Sequence, residues 1–329
     1  ENLLFVGNER GVYVSVDRGG SWTRLEGANF PTVPVDDLVL HPRDNDLALG
    51  THGRSIWILR DVRPLEELAQ ADVLAVPAHL FPVQRATQWA RAGAWPFWGD
   101  TYFARDPEDG ALIRYWLAEG TEGDSVSVTV LDRAGNAIRT LDAPAVAGIN
   151  AVMWDMRHDP PYEPEPGEGG GFFGAPRGPL VLPGTYAVRM EAEGASMETA
   201  VEVRIDPRVE VSPADLRARY AAAMSVHAMA APVRDAQARI RTVSEQLREV
   251  DSLLEESDAA TEEVTTRTEE LVDAVRELGQ ELNQFARASR LANTLESVFA
   301  APTADQLWQI DRAWDEVPGL IQRLNVLLT

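Results

Sequence analysis

Cysteine and lysine are both absent from this sequence of 329 residues. Without cysteine, the chain forms no disulfide and offers no thiolate to a metal ion. Its 30 basic residues are all arginine, a bias typical of GC-rich bacterial coding rather than of a function. Long apolar runs are missing as well, and because a bilayer span needs roughly 20 such residues, we expect no membrane span.

Acidic side chains outnumber basic ones by 52 to 30, which gives a formal net charge of −22. Nucleic acids and anionic membranes attract basic surfaces, so this charge argues against both as partners. The composition, 45% hydrophobic and 25% charged, is that of a packed protein, and the length suits two or three domains. The sequence thus predicts a folded multidomain protein.

Residues 1–62 are predicted to be the terminal blades of a β-propeller. Short β-rich segments alternate there with Gly, Asn and Asp turns, at a spacing typical of propeller blades. The first segment begins at the start of the sequence, without a methionine. We therefore expect earlier blades, and any signal peptide, to lie on a part of the protein that this fragment does not include.

One turn in this region carries the motif Ser15-x-Asp17-x-Gly19-x-Ser21-Trp22. A short carboxylate can accept hydrogen bonds from the N–H groups of a turn, glycine adopts positive φ, and tryptophan can pack between blades. The motif resembles the Asp-box (BNR repeat) of sialidase, xyloglucanase and sortilin-type propellers. In that family the box joins the third and fourth strands of a blade, away from the catalytic face, so the resemblance implies a structural role for these residues.

Residues 47–61 resemble the closing strands of bacterial sortilin-like propellers, which are often called glycosyl hydrolases. His52 and Arg54 flank Gly53 in a strand-to-strand turn, where they are candidate ligand contacts at the propeller mouth. The alternative, which we favour, is a hairpin tip that ties the last blade to the first. The resemblance implies an exported protein (periplasmic, extracellular or on the cell surface), a carbohydrate or peptide ligand, and the N-terminal blades as partner.

Residues 63–108 are predicted to be a linker rich in proline and aromatic residues, with a short helix near its start. Trp95 and Trp98 belong to an aromatic cluster that could stack on a sugar, and both are candidate ligand contacts. Alternatively, the large rings hold an irregular segment against a neighbouring domain, because exposed aromatics would otherwise form an unfavourable patch.

Residues 109–207 alternate with the period of two expected for strands, and polar turns separate about six of them, which predicts a β-sandwich. The pattern resembles the Ig-like (FnIII-like) domain of flagellar hook-cap proteins, with Trp154 and Tyr186 in the core. A Gly- and Pro-rich insertion, residues 159–183, lacks the elements of a phosphate-binding loop. A metal site could be formed by Asp155, His158 and Asp159, but the interpretation that we favour is a plain turn at the end of a strand. We expect neither a metal ion nor a cofactor in this chain.

Residues 208–329 contain three runs of apolar residues at heptad spacing, and the first opens with the helix start signal Ser212-Pro213. They predict an antiparallel helical hairpin or a three-helix bundle. The third run includes Leu307, Trp314 and Ile321 in its apolar seam. Alternatively, such a seam pairs with another chain.

The predicted fold class is therefore multidomain β plus α: partial propeller blades, an Ig-like sandwich and a helical bundle. No nucleophile–His–acid set or cofactor motif is recognisable, so we expect a ligand-binding or scaffolding function without a catalytic site in this chain. The alternative is a glycoside hydrolase whose catalytic carboxylates lie on blades outside this chain. Asp36 and Asp37 make a poor local pair for that chemistry, because adjacent strand residues point to opposite faces.

Overall fold

The computed structural model describes residues 2–26, 30–70, 72–90, 109–119, 126–163, 176–192, 194–256, 261–285 and 288–328. Within these ranges the fold is β plus α, with the strands in the first two thirds of the chain and most of the helical residues in the last third.

Two three-stranded antiparallel sheets form the N-terminal part. The first sheet contains, in order, β1 (Leu4–Asn8), β2 (Gly11–Ser15) and β3 (Thr23–Arg24). The second contains, in order, β4 (Val35–Leu40), β5 (Leu47–Thr51) and β6 (Ile56–Leu59). The sheets share a small core that includes Val12, Val35 and Leu49. Gly7 permits their close approach, because a Cβ atom at this position would lie 2.6 Å from the carbonyl oxygen of Val35.

Two further sheets enclose the largest core. Their strands are β7 (Ala78–Leu80), β8 (Ala86–Gln88), β9 (Ala111–Leu117), β10 (Val126–Leu131), β11 (Ala137–Ala143), β12 (Gly148–Trp154), β13 (Gly184–Ala192) and β14 (Ala195–Ile205). One sheet has the order β11-β10-β13-β14-β8 and the other β12-β9-β7. Trp154 is fully buried between them, and its ring meets that of Tyr186 edge to face at 5.5 Å, so the prediction of a core position for Trp154 is confirmed.

Part of the predicted linker is built into these sheets. After the short helix α1 (Arg63–Leu68), β7 pairs with β9, and β8 pairs in parallel with β14, with Ala86 opposite Val203. The sequence did not predict these strands. Three residues are too few to display an alternating pattern, and both strands depend on partners that are distant in sequence.

The C-terminal part contains four helices in the described residues: α2 (Pro213–Glu255), α3 (Glu262–Phe285), α4 (Ala288–Glu296) and α5 (Ala304–Leu327). The Ser212 hydroxyl caps α2 by accepting a hydrogen bond from the Asp215 N–H at 3.0 Å, as the start signal predicts. Helices α2, α3 and α5 share one core, and α2, α4 and α5 share a second. None of the described helices combines the length and apolar character needed to cross a bilayer.

One detail of the helical prediction is corrected. The second apolar run lies on α3 and α4, and residues 286–287 between them lie outside the described residues. On α5 the buried side chains include Ala313, Val317 and Leu320, whereas Trp314 is 46% exposed. The Trp314 indole N–H donates a hydrogen bond to the hydroxyl of Ser225, so this ring lies beside the seam and small Ala313 lies within it.

Charged pairs with little solvent exposure connect the three parts. Asp61, which follows β6, accepts hydrogen bonds from Arg114 of β9 at 3.2 Å and from Arg63 at 2.7 Å. Arg157, which follows β12, donates to Glu296 at the end of α4. The side chains of Asp61 and Glu296 are 8% and 11% exposed, and removal of one partner from such a pair leaves a poorly solvated charge. These pairs therefore hold the sheets and helices against one another.

Candidate functional site

The Asp17 turn, defined as residues 15–22, connects β2 to β3 and contains the whole predicted motif. The buried hydroxyl of Ser15 donates to Asp17 Oδ1 at 2.7 Å and accepts a hydrogen bond from the Gly19 N–H at 2.7 Å. Asp17 also accepts hydrogen bonds from the N–H of Ser21 at 2.8 Å and from its hydroxyl at 2.7 Å. Gly19 has a φ of 91°, which glycine adopts without strain. The polar positions of the motif thus bond to one another.

These hydrogen bonds favour the ionised form of Asp17. The Ser21 hydroxyl contributes most, followed by the Ser21 N–H and the Ser15 hydroxyl, and together they lower the pKa of Asp17 to about 2. Because both carboxylate oxygens accept hydrogen bonds within the turn, the arrangement suits turn closure better than acid–base catalysis.

Trp22 completes the motif and lies at the surface of the Asp17 turn. Its ring is close to Gly19, at which a Cβ atom would lie 3.7 Å from the indole and 3.8 Å from Leu4. Trp22 is 42% exposed and Leu4 is 38% exposed. The two side chains form an apolar surface next to the turn.

The His52 tip, defined as residues 51–55, connects β5 to β6 and contains the second predicted pair. The Thr51 hydroxyl and N–H both donate to the Ser55 carbonyl, which closes the hairpin. His52 Nδ1 lies 3.3 Å from Asp36 Oδ2, and the His52 side chain is 81% exposed. The side chain of Arg54 is exposed, while its carbonyl accepts a hydrogen bond from the Trp57 indole at 2.9 Å.

The pairing of His52 with Asp36 was not predicted from the sequence. Val35 of β4 pairs with Thr51 of β5, and the register shifts before the next pair, between Asp37 and Gly50. Asp36 therefore occupies a bulge between these two pairs, close to His52. Asp37 is also exposed, and its carboxylate accepts a hydrogen bond from the Leu38 N–H. The alternation of residues in the sequence does not show where such a bulge occurs, so this contact could not be predicted.

The Asp17 turn and the His52 tip lie at opposite ends of the N-terminal sheets. Ser15 is opposite Leu4, the first residue of β1. Gly7, near the other end of β1, approaches Val35, which pairs with Thr51. The structure therefore separates the two sets of predicted residues. Trp95 and Trp98 lie outside the described residues.

Two of the three residues considered as a metal cluster, His158 and Asp159, contact α2. His158 Nε2 lies 2.9 Å from the Tyr220 hydroxyl, and burial lowers the pKa of this histidine. Asp159 accepts a hydrogen bond from the Thr140 N–H at 3.3 Å, and its carbonyl oxygen lies 2.9 Å from His227 Nε2. In the described part of the chain, no three His, Cys, Asp or Glu side chains converge as metal ligands.

Comparisons with known proteins add little to this geometry. No family model matches the chain, and no curated protein matches it. Among solved structures, CopC from Methylosinus trichosporium OB3b is 14% identical, with 41% of this chain and 99% of CopC covered. The TM-score is 0.21. A likeness at this level supports no conclusion about fold or function.

A cavity in the helical part is a further candidate site that the sequence did not indicate. It has a volume of about 510 Å³ and lies between α3, α4 and α5. Trp308 is at its edge and 58% exposed. Heptad spacing predicts which helix faces pack together, but it carries no information about gaps left between the packed faces.

Proposed function

We propose that this chain is the noncatalytic C-terminal portion of an exported Asp-box β-propeller protein, with a ligand-binding or scaffolding function. The observation that carries this proposal is the closed Asp17 turn. Ser15, Asp17, Gly19 and Ser21 take part in one hydrogen-bonded network, and Trp22 flanks it. Residues that match the motif and also bond to one another support the resemblance more specifically than the motif letters alone. In this proposal residues 1–62 are the terminal blades.

Apolar outer faces on the N-terminal sheets support the presence of further blades. On β6, Trp57 and Leu59 pack on the core, whereas Ile56 and Ile58 are 71% and 61% exposed. On β1, Phe5 packs on the core and the neighbouring residues Leu4 and Val6 are 38% and 42% exposed. A strand that is apolar on both faces is typical of one that is covered on both faces. Neighbouring blades of the same protein would supply that cover.

The sheets around Trp154 support the proposal of an Ig-like sandwich that braces the propeller. The pair of Arg114 and Asp61 links this part to the N-terminal sheets, and the pair of Arg157 and Glu296 links it to the helices. We assign the helices, as a hairpin or bundle, the function of a spacer or docking element.

The proposed ligand site of the propeller is the end that carries the His52 tip. This end is remote from the Asp17 turn, and it exposes His52, Arg54 and the carboxylate of Asp36. Groups of both charge signs suit the polar groups of a carbohydrate or a peptide. Trp95 and Trp98 are further candidates for stacking on such a ligand.

Activity measurements test the noncatalytic part of this proposal. We expect the 329-residue chain to show no turnover of aryl glycosides, sialosides or xyloglucan, because the carboxylates of Asp36 and Asp37 are exposed and each is bonded to a neighbouring group. Turnover that Asp36→Asn or Asp37→Asn abolishes would contradict it. A gene that encodes no further Asp-box strands beside these residues would contradict the propeller assignment itself.

A further inference from the structure

The helices α2, α3 and α5 pack around one core, but α5 covers only part of the groove between α2 and α3. Arg323, near the end of α5, pairs with Glu281 of α3 at 2.8 Å. α5 ends at Leu327, whereas α2 and α3 extend beyond it side by side. We call this extension, residues 241–255 of α2 and 262–275 of α3, the helical arm. It is about 22 Å long at the rise of an α-helix.

Apolar side chains continue along the groove on the helical arm, where the described residues leave them open. Of the residues of α2 beyond Ala236, none is buried. The apolar spacing of three and four residues nevertheless continues there, through Val243 and Leu247. Val250 and Leu253 are 42% and 61% exposed. The groove therefore presents apolar surface that a third helix would bury, as α5 does in the neighbouring part of the same groove.

The side of α2 that carries Val250 and Leu253 is the side that contacts α5. Arg239 donates a hydrogen bond from this side to Asn325 of α5 at 3.2 Å. Val250 and Leu253 follow Arg239 by about three and about four turns of helix, so they lie in line with it. A helix that covers both side chains would therefore lie in line with α5.

The helical arm is strongly acidic. Residues 241–275 contain 11 acidic side chains and three arginines, which gives a formal charge of −8, compared with −22 for the whole chain. This count includes residues 257–260, which lie outside the described residues and contain no basic side chain. Charge complementarity therefore favours a basic partner for the groove.

The α3 side of the groove has an acidic rim. It consists of exposed glutamates at seven-residue spacing, which places them on one face of the helix: Glu263, Glu270 and Glu277. Glu281, one turn further along this face, is the residue that binds Arg323 of α5. Arg241 and Arg248 lie on the opposite face of α2, half a turn from Arg239, so the described arm has one basic side chain at the groove, Arg267. The pair of Arg323 and Glu281 shows how a basic side chain of a helix in this groove is bound.

We propose that the helical arm binds a basic amphipathic helix of another protein. The bound helix lies in line with α5, with its apolar side chains on Val250 and Leu253 and its arginine or lysine side chains paired with the glutamate rim. A second copy of this chain would place two glutamate rims against each other, which like charges disfavour. The inference specifies the docking function proposed for the helices and rests on that part of the proposed function. It is independent of the propeller assignment, so either can fail without the other.

Fluorescence anisotropy with a labelled synthetic peptide and the 329-residue chain tests this inference. The peptide has three heptads, with leucine at a and d and lysine at e and g. We expect it to bind at least about tenfold more tightly than a scrambled peptide of the same composition, and than a counterpart with glutamate at e and g. Leu253→Ala should weaken the binding by about threefold to tenfold, and Glu270→Gln by about twofold to fivefold.

Two matched controls lie outside the groove. Leu307→Ala removes a leucine of α5 that is 44% exposed and far from the arm, and Glu255→Gln removes a charge from the opposite face of α2. Both variants should bind the peptide like the unsubstituted chain. The inference is overturned if the peptide does not bind, if the scrambled peptide binds equally well, or if neither Leu253→Ala nor Glu270→Gln weakens the binding. A dimer in sedimentation velocity that Leu253→Ala dissociates would also overturn it, because the groove would then belong to a second copy.

Discussion

Several carboxylates in this chain are held in their ionised form by the turns that they close. Asp132, in the hairpin between β10 and β11, accepts hydrogen bonds from the side chain and N–H of Asn136, and these lower its pKa. Hydrogen bonds from Arg208 and from the Ala90 N–H lower the pKa of fully buried Asp206. Hydrogen bonds also lower the pKa of Asp17, and all of its donors lie within four residues of it in the sequence. Such local bonding is why its turn could be predicted from the sequence.

The stability of the fold should depend on the charge of Asp17. Its pKa is about 2 in the folded chain and 3.8 for an unperturbed carboxyl, so its hydrogen bonds stabilise the fold above about pH 4, and this stabilisation is lost as the pH falls toward 2. In calorimetric melting, Asp17→Asn should lower the melting temperature at pH 7, and the difference from the unsubstituted chain should shrink below about pH 4. The exposed Asp36 provides the control variant, Asp36→Asn. A constant difference across this pH range would contradict the assignment.

Two glycines should respond in opposite directions to substitution by alanine. Gly7→Ala places a Cβ atom 2.6 Å from the Val35 carbonyl, and the overpacking should destabilise the chain by about 1–3 kcal/mol. Gly319 lies on α5, where an added Cβ atom would have nothing within 4 Å, so Gly319→Ala should stabilise the chain by about 0.5–1 kcal/mol. Urea unfolding measures both. Equal effects of one sign would contradict the close packing of β1 on β4.

Elements with a long regular pattern could be predicted from the sequence, and elements defined by distant partners could not. The alternation in β9 and β10 and the cap of α2 are local signals, and both predict the observed structure. β7 and β8 have no such signal, because each is three residues long. The exposure of Trp314 depends on Ser225 of another helix. The same limit applies to the candidate sites, since the contact between Asp36 and His52 depends on a bulge.

The end of α4 should be essential for the attachment of the helices to the sheets. Glu296 accepts hydrogen bonds from Arg157 and from the Leu180 N–H, and its side chain is 11% exposed. Glu296→Gln removes the charge that compensates Arg157, so we expect a loss of about 1–3 kcal/mol in urea unfolding followed by circular dichroism.

The matched control for that experiment is Asp273→Asn. Asp273 pairs with Arg276 on the surface of α3, where the two side chains are 66% and 65% exposed. Exposed pairs contribute about 0–1 kcal/mol, so this variant should unfold almost like the unsubstituted chain. A loss for Asp273→Asn as large as that for Glu296→Gln would show that the buried pair has no special importance.

The whole molecule combines a high negative charge with exposed apolar side chains, some of which lie on two N-terminal strands. The formal net charge of the chain is −22. On β1 and β6, the exposed side chains nevertheless include Val6, Ile56 and Ile58. These faces are accounted for if the N-terminal sheets are blades covered by other blades of the same protein, which is the central claim of the proposed function.

The unfolding free energy of Ile58→Ser, measured with and without the proposed further blades, tests this claim most directly. Ile58 is 61% exposed in the 329-residue chain, so there the substitution should change the free energy by less than about 0.5 kcal/mol. When neighbouring blades cover the side chain, the same substitution should cost about 1.5–3 kcal/mol. The same small change in both proteins would contradict the claim that β6 is a covered blade strand.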